Sequence, residues 1–300
     1  MRTLVELESP QPASPAHAPA AADLNVRPLA AGAEAEALAF LAARPVHTVY
    51  MAGFIRDNGL VSPLNRGTFY GCRDARGHLA GLALIGHVTQ VEALSLAALC
   101  ALARAAQGCS TAHVIMGEQA TIRSFWEHYA PGGQVPRLAC RELLLEQRLP
   151  VETAYVPGLR RATAADLELI LPVQARMAEE ECGLNPLAVD AVGFRGRCAL
   201  RVTRGRVWVL VETGRLLFKA DVMAETPEAV YLEGIWTHPD YRNRGIAKSC
   251  LTELTRRLLR RQLALCLAVE SSQKAALKVY RQVGFVHCED YQARYLQPLN

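Results

Sequence analysis

The sequence has no run of 18 or more apolar residues, no Cys-x-x-Cys pair and no large excess of either charge. The first absence argues against a membrane-spanning helix. The second, with nine scattered cysteines, predicts neither a disulfide framework nor a zinc site. A net charge of +4 is too small for a nucleic-acid binder with a basic face. Because acidic residues interrupt MRTLVELE, no leader peptide is expected either. We therefore expect a cytoplasmic protein with no membrane, nucleic-acid or metal partner.

What is present is typical of a soluble globular chain, with 51% hydrophobic and 21% charged residues. Its length is sufficient for one large domain or two ordinary ones. Proline and alanine dominate SPQPASPAHAPAAA, so residues 1–22 are predicted to be a disordered tail. The proline-containing stretch RLPVETAYVPG predicts a linker over residues 151–157. The domains are then expected at residues 23–150 and 158–300.

Each of these halves contains a hairpin signal at a similar place. In the first half GTFYGC and LAGLALIG flank a turn, and in the second half RVWVLVE and RLLFKADVMA flank Thr213-Gly214. A further strand, a helix, a short strand and a final helix follow in both halves. This order predicts an α/β fold with two tandem domains, each a twisted mixed β-sheet flanked by helices. Chance similarity of two α/β domains is the alternative to an internal duplication.

The junction WTHPDYRNRGIAKSC combines a strand end, basic residues and a helix start. Pro239 ends the preceding strand, and apolar residues at helical spacing begin directly after Gly245. The first turn of a helix presents unpaired N–H groups and a partial positive charge, which suit a phosphate. Arg242, Gly245 and Ala247 form the pattern R-x-x-G-x-A. Taken alone, this short pattern favours an ordinary capped helix with solvated arginines, because three fixed positions in six residues are not specific.

The order strand, R-x-x-G-x-A, long helix, strand, helix resembles the GNAT superfamily of acyl-CoA-dependent N-acetyltransferases. The resemblance continues in LAVESSQKAALKVYRQVGF and covers roughly residues 158–300. In that later segment the family pattern is matched at Ala276, Tyr280, Gly284 and Phe285, while Gln273 stands where asparagine is usual. The segments EEECGLNP and LLFKADVMAETPEAVYLEGIW are similar to those of a bacterial two-domain subgroup. That subgroup has a degenerate GNAT-like N-terminal domain.

The resemblance implies tandem GNAT-like domains and acetyl-CoA as the co-substrate, with no metal. In the family a β-bulge splays two parallel strands, the pantetheine arm pairs with the exposed strand edge, and the pyrophosphate lies at the helix start. The implied cofactor-binding residues are Ile235, Trp236, Thr237, Arg242, Arg244, Gly245, Ile246, Ala247, Lys248, Gln273, Ala276 and Tyr280.

The implied reaction is direct attack of a primary amine, on a small molecule or a peptide, within a ternary complex. Tyr280 is the candidate general acid for the departing thiolate, and Glu233 is the candidate general base. Glu270 is a weaker alternative base. Glu180 and Glu181, in an acidic run, are candidates for binding a cationic acceptor. The alternative for each is structural: a core aromatic for Tyr280, and solvated acids for the glutamates.

The first half lacks the phosphate pattern, because QVEALSLAALC has neither glycine nor arginine at the equivalent junction. Trp126 also stands roughly where Tyr280 stands in the second half. We therefore expect coenzyme A to bind to the second half alone. A non-catalytic acyl-CoA sensor is the second hypothesis. The arginines from Arg256 to Arg261 are expected on a solvated helix face, and a homodimer is left open.

Overall fold

The computed structural model describes residues 24–152 and 154–297, so the predicted tail at residues 1–22 lies outside the described residues. The strands are β1 (Asn25–Pro28), β2 (Gly67–Arg73), β3 (Leu79–Gly86), β4 (Val88–Ala93), β5 (Val114–Glu118), β6 (Pro136–Gln147), β7 (Arg160–Arg161), β8 (Val207–Glu212), β9 (Arg215–Glu225), β10 (Ala229–Thr237), β11 (Ala264–Glu270) and β12 (Val286–Leu296). The helices are α1 (Glu34–Leu41), α2 (Pro45–Asn58), α3 (Leu96–Ala106), α4 (Gln119–Tyr129), α5 (Leu167–Cys182), α6 (Pro186–Thr203), α7 (Ile246–Leu258) and α8 (Lys274–Val283). No helix in this described part has the length and apolar character that a membrane span needs.

The two halves have the same order of elements. The run β1, α1, α2, β2, β3, β4, α3, β5, α4, β6 is repeated as β7, α5, α6, β8, β9, β10, α7, β11, α8, β12. The two hairpins lie at equivalent places in the repeats, and Thr213 and Gly214 both have positive φ, as the tight turn between β8 and β9 requires. The predicted tandem architecture is confirmed.

The halves join through an exchange of their last strands. The strand order is β1-β2-β3-β4-β5-β12-β6-β11-β10-β9-β8-β7, so β6 lies beside β11 of the second half and β12 lies beside β5 of the first. A long antiparallel ladder between β6 and β12 closes the centre. Both strands have a neighbour on each side, so the described junction between the halves has no exposed strand edge. The predicted domain limits at residues 150 and 158 stay a prediction, since these strands cross between the halves.

The helices divide between the two faces of the second half of the sheet. Helices α7 and α8 pack on one face against a leucine-rich core that includes Leu251, Leu267 and Tyr280. Helices α5 and α6 pack on the opposite face. The first half contributes α2 to that opposite face, where a Cβ on Gly53 would lie 2.7 Å from the Cβ of Ala224. Glycine therefore allows α2 to contact β9 directly.

Candidate active site

An opening separates the parallel strands β10 and β11. They pair at three positions only, from Ala229↔Ala264 to Tyr231↔Cys266. Beyond these pairs β10 continues to Thr237 and β11 continues to Glu270. The edge of β10 that includes the predicted residues Ile235, Trp236 and Thr237 is therefore free of the ladder with β11.

A β-bulge lies at this opening. Glu233 pairs with Asp221 and Trp236 pairs with Lys219, so two residues of β10 oppose one residue of β9. Gly234 in the bulge has φ +60°, and a Cβ there would lie 2.8 Å from Nζ of Lys219. The bulge that the family resemblance implied is thus present, and only glycine fits at its centre.

The buried side chain of Lys219 stabilises the bulge by hydrogen bonding. Its side chain is fully buried, and Nζ donates to the carbonyl oxygen of Gly234 at 2.9 Å and to Oε1 of Gln174 at 2.7 Å. Nζ also lies 3.0 Å from Oδ1 of Asp221, whose Oδ2 is 3.3 Å from Nη1 of Arg201. Burial lowers the pKa of Lys219, and Asp221 opposes that change. Sequence reasoning missed this group, although two charges spaced i, i+2 in the apolar strand RLLFKADVM were a signal.

Helix α7 begins without a cap. Gly245 is in the left-handed conformation at φ +78°, no side chain caps the helix, and the first backbone bond runs from the Ser249 N–H to the Gly245 carbonyl. Among the described residues, the amides of Ile246, Ala247 and Lys248 therefore have no hydrogen-bond acceptor. A Cβ on Gly245 would meet nothing within 4 Å, so this helix start faces open space.

Basic residues surround that helix start. Arg242 donates from Nε to the carbonyl oxygen of Thr237 at 3.2 Å, and the Arg244 guanidinium lies 5.0 Å from the centre of the Tyr241 ring. Both arginines and Lys248 are exposed, and within the described residues none of the three forms an ion pair. Their charges are therefore available to an anion at the uncapped amides.

The equivalent site in the first half is closed. Ser95 caps α3, since its Oγ accepts from the Ala98 N–H at 3.2 Å. Strands β4 and β5 also separate after two pairs, but Arg44 bridges them through Glu92 at 3.3 Å and Glu118 at 2.6 Å. The cavity that remains has a volume of about 20 Å³. The cap and the ion pairs occupy the places that a phosphate and a cofactor arm would need.

The candidate acid Tyr280 lies on the α7–α8 face. It is 9% exposed, and its ring packs edge-to-face against Phe285 with centroids 6.1 Å apart. Burial raises the pKa of Tyr280 to about 12, so the hydroxyl keeps its proton at neutral pH. Ile235, Ile246 and Ala276 pack against the same core cluster. In α4 the buried residues Ile122 and Phe125 repeat the spacing of Leu277 and Tyr280, so Phe125, and not Trp126, is the counterpart of Tyr280.

The candidate base Glu233 lies on the face of the sheet opposite the α7–α8 face. Its neighbour in the ladder between β10 and β9 is Asp221. Burial, followed by the negative charge of Glu181, raises the pKa of Glu233 to about 7. Because β10 and β11 separate between the two faces, the opening connects the side of the sheet that holds Glu233 with the side that holds Tyr280. A proton acceptor and a proton donor thus flank one gap.

The remaining predicted residues are placed differently. The carboxylate of Glu181 accepts from the Tyr295 hydroxyl at 2.8 Å and influences the pKa of Glu233. Glu180 instead forms an ion pair with Arg176 at 2.8 Å on the exposed surface of α5 and does not share the contact of Glu181. Gln273 is the exposed first residue before α8, and its N–H donates to the Glu270 carbonyl. The described residues contain no group of three or more His, Cys, Asp or Glu side chains that could hold a metal ion.

Comparisons with known proteins agree with this geometry. Residues 188–285 match the model of the acetyltransferase (GNAT) family, whereas no curated protein matches the chain. A Drosophila protein has a similar fold with a TM-score of 0.66 at 14% identity, over 91% of this chain and 98% of that one. A tandem GNAT protein from the clavulanic acid biosynthesis pathway has a TM-score of 0.57 at 14% identity, over 93% of this chain and 100% of that one.

A GNAT acetyltransferase from Colwellia psychrerythraea is similar over 91% of this chain and 100% of its own, with a TM-score of 0.54 and 13% identity. At such identities the three structures support the fold and say nothing about substrate. Residues 188–285 therefore match the acetyltransferase (GNAT) family, and the chain as a whole has the fold of the tandem GNAT protein.

Proposed function

We propose that the protein is an acetyl-CoA-dependent N-acetyltransferase that acetylates a primary amine, on a small molecule or a peptide, by direct attack in a ternary complex. The opening between β10 and β11 carries the proposal. It joins an uncapped helix start, a free strand edge, a carboxylate with a pKa of about 7 and a protonated phenol. This is the set of groups that amide formation from a thioester requires.

The binding roles follow from the order of these groups along the opening. The amides of Ile246, Ala247 and Lys248 would hold the pyrophosphate, because the absent Cβ of Gly245 lets it approach the backbone. The edge of β10 from Ile235 to Thr237 would pair with the pantetheine arm, and the N–H of Trp236 or Thr237 would polarise the thioester oxygen. Gln273 is exposed at the start of α8 and can offer its amide to the arm.

The chemistry then needs two proton transfers. The amine nitrogen attacks the thioester carbon, a C–N bond forms and the C–S bond breaks. Glu233 accepts the proton that the amine loses, and its pKa of about 7 leaves about half of it ionised at neutral pH. Tyr280 donates its proton to the departing thiolate sulfur.

The first half would not bind the coenzyme, because Arg44 bridges its strands and Ser95 caps its helix. Its role would be to complete the acceptor side of the second half through β6 and α2. We expect the activity in the cytoplasm, since the eight cysteines whose side chains the structure describes are all free thiols.

Acetyl-CoA is expected to raise the melting temperature of the full-length protein. A ligand at 100 times its Kd stabilises by about 2.7 kcal/mol, which corresponds to about 5 °C for a chain of this size. Gly245→Asp should remove most of this shift, since a carboxylate at the helix start repels the pyrophosphate and occupies its amides. Differential scanning fluorimetry with and without the ligand measures both.

The matched control is Gly214→Asp. Gly214 has φ +75° and open space around it, so the backbone strain is the same as at Gly245, but it lies in the β8–β9 turn. The Gly214→Asp protein should keep the full shift. Absence of any shift in the folded wild type at millimolar acetyl-CoA would count against the proposal.

The alternative of a non-catalytic acyl-CoA sensor shares the binding site, so turnover must separate the two functions. Tyr280→Phe is expected to lower kcat about 10²-fold with little change in the Kd for acetyl-CoA, because only the proton donor is lost. Thiol release with a panel of amines measures kcat. Tyr70→Phe, which removes a partly buried phenol from β2, serves as the control. Binding without thiol release on any amine, in wild type and variant alike, would favour the sensor.

A further inference from the structure

Three neighbouring strands present carboxylates on one face of the sheet. Glu142 of β6 lies directly opposite Glu270 of β11, and residues directly opposite each other point to the same face. Tyr231 of β10 pairs with Cys266, four residues before Glu270. Since side chains alternate along a strand, Glu233 and Glu270 also share this face. The order β6, β11, β10 therefore places three glutamates on one face, with Glu142 opposite Glu270 and Glu233 across the opening from Glu270.

A fourth carboxylate covers this group. Glu181, at the end of α5, accepts from the hydroxyl of Tyr295 on β12. Tyr295 is four residues from Tyr291, which pairs directly with Glu142 in the β6–β12 ladder. Glu181 is thus held above the same face. We call Glu142, Glu181, Glu233 and Glu270 the acidic cluster.

Glu142 is the member of the acidic cluster whose buried carboxylate lacks a partner in the described part of the chain. Its side chain is 9% exposed, its Oε2 has no hydrogen-bond partner, and among the described residues it has no ion pair. A buried carboxylate without a partner costs several kcal/mol of stability. Lys219 and Arg201, the cations that lower the pKa of Glu233, are both bound to Asp221.

The electrostatics of the acidic cluster also favour binding of a cation. Burial, followed by the charges of Glu181, Glu233 and Glu270, raises the pKa of Glu142 to about 7. With Glu233 at a similar value, ionising both groups costs folding free energy that grows as the pH rises from 4.5 to 7. A bound cation would offset this cost, since it favours the ionised form of each carboxylate.

We propose that the acidic cluster binds a dicationic amine, with the reacting amine at Glu233 and the second ammonium at Glu142. The inference rests on the proposed function and narrows its acceptor class. Glu142 and Glu233 lie on strands separated by β11, hence about 10 Å apart or more, so a chain of several methylenes must join the two nitrogens. The contact that selects a diamine would come from Glu142 on β6, a strand of the first half, which would not bind the coenzyme.

Direct titration calorimetry tests the proposal without turnover. The probes are 1,4-diaminobutane and butylamine, which differ only in the second ammonium. Wild type is expected to bind the diamine at least tenfold more tightly than the monoamine, and Glu142→Gln is expected to reduce this ratio to within threefold. Glu127→Gln removes the same charge from an exposed position on α4 in the first half, and it should leave the ratio unchanged.

Each outcome of the calorimetry supports or overturns the proposed diamine site. Equal affinities for the two amines in the wild type overturn the proposal, and this comparison needs no variant. A diamine preference that survives Glu142→Gln, in a protein whose melting temperature is unchanged or higher, overturns the assignment to Glu142. Failure of the proposed function gives a different result, namely diamine binding with no acetyl-CoA shift and no thiol release.

Discussion

Replacing Glu233 by glutamine is expected to lower kcat by about 10²- to 10³-fold, the usual loss when a general base is removed. Glutamine keeps the size and the hydrogen-bonding capacity of the side chain but cannot accept the proton of the attacking amine. The Kd for acetyl-CoA should stay within a factor of three, because Glu233 lies on the opposite face of the sheet from the α7–α8 core. Steady-state kinetics and a binding titration measure the two quantities.

The pH profile gives a second, independent readout of Glu233. Burial raises its pKa to about 7, and a general base works only when it is deprotonated. In the wild type kcat/KM should therefore show a rise centred near pH 7. Glu233→Gln should lose this rise, since the remaining activity no longer depends on that ionisation.

Glu270→Gln distinguishes the two candidate bases. Glu270 belongs to the acidic cluster but ends β11, across the opening from Glu233. Its replacement should raise KM for the amine and leave kcat within a few-fold of the wild type. The reverse pattern, with kcat retained in Glu233→Gln and lost in Glu270→Gln, would transfer the role of base to Glu270.

Lys219→Met is expected to lower the free energy of unfolding by about 3 to 5 kcal/mol, as breaking a buried ion pair usually does. Methionine fills a similar volume but removes three contacts at once: those to Asp221, Gln174 and the Gly234 carbonyl. Asp221, which is 1% exposed, then keeps Arg201 as its one cation partner among the residues that the structure describes. Urea denaturation, followed by circular dichroism, measures the change.

The same replacement should weaken acetyl-CoA binding, because Lys219 fixes the bulge that exposes the β10 edge. Lys278→Met is the control, since Lys278 is an exposed lysine on α8 and surface changes usually stay within about 0.5 kcal/mol. A loss below 1 kcal/mol for Lys219→Met would show that water or a neighbouring side chain replaces the ammonium group, and that the bulge is held by other contacts.

Much of the local structure could be predicted from the sequence. The turns at Gly77 and Thr213-Gly214, and the helix start at Gly245, all depend on residues within a few positions of one another. Their geometry requires positive φ, which the structure shows at all four residues, and glycine or a tight turn is the local signal for it. The family motif around Gly245 has the same local character, so its position was predictable too.

The acidic run shows where such local reasoning stops. Glu180 and Glu181 are neighbours and look alike in sequence, but they point in different directions from α5. Glu180 pairs with Arg176 on the same helix, whereas Glu181 reaches Tyr295. The helical periodicity allows either orientation, and the contact to a strand more than 100 residues away decides between them.

By itself, the sequence determined the repeated order of strands and helices, the hairpin turns, and the uncapped helix start with its free amides and basic rim. Each of these depends on interactions between residues close together in the chain. The tertiary structure alone decided the exchange of β6 and β12, the burial of Lys219 under the bulge, and the position of Glu142 opposite Glu270. These depend on strand register between distant segments, and a shift of one residue would turn Glu142 to the other face.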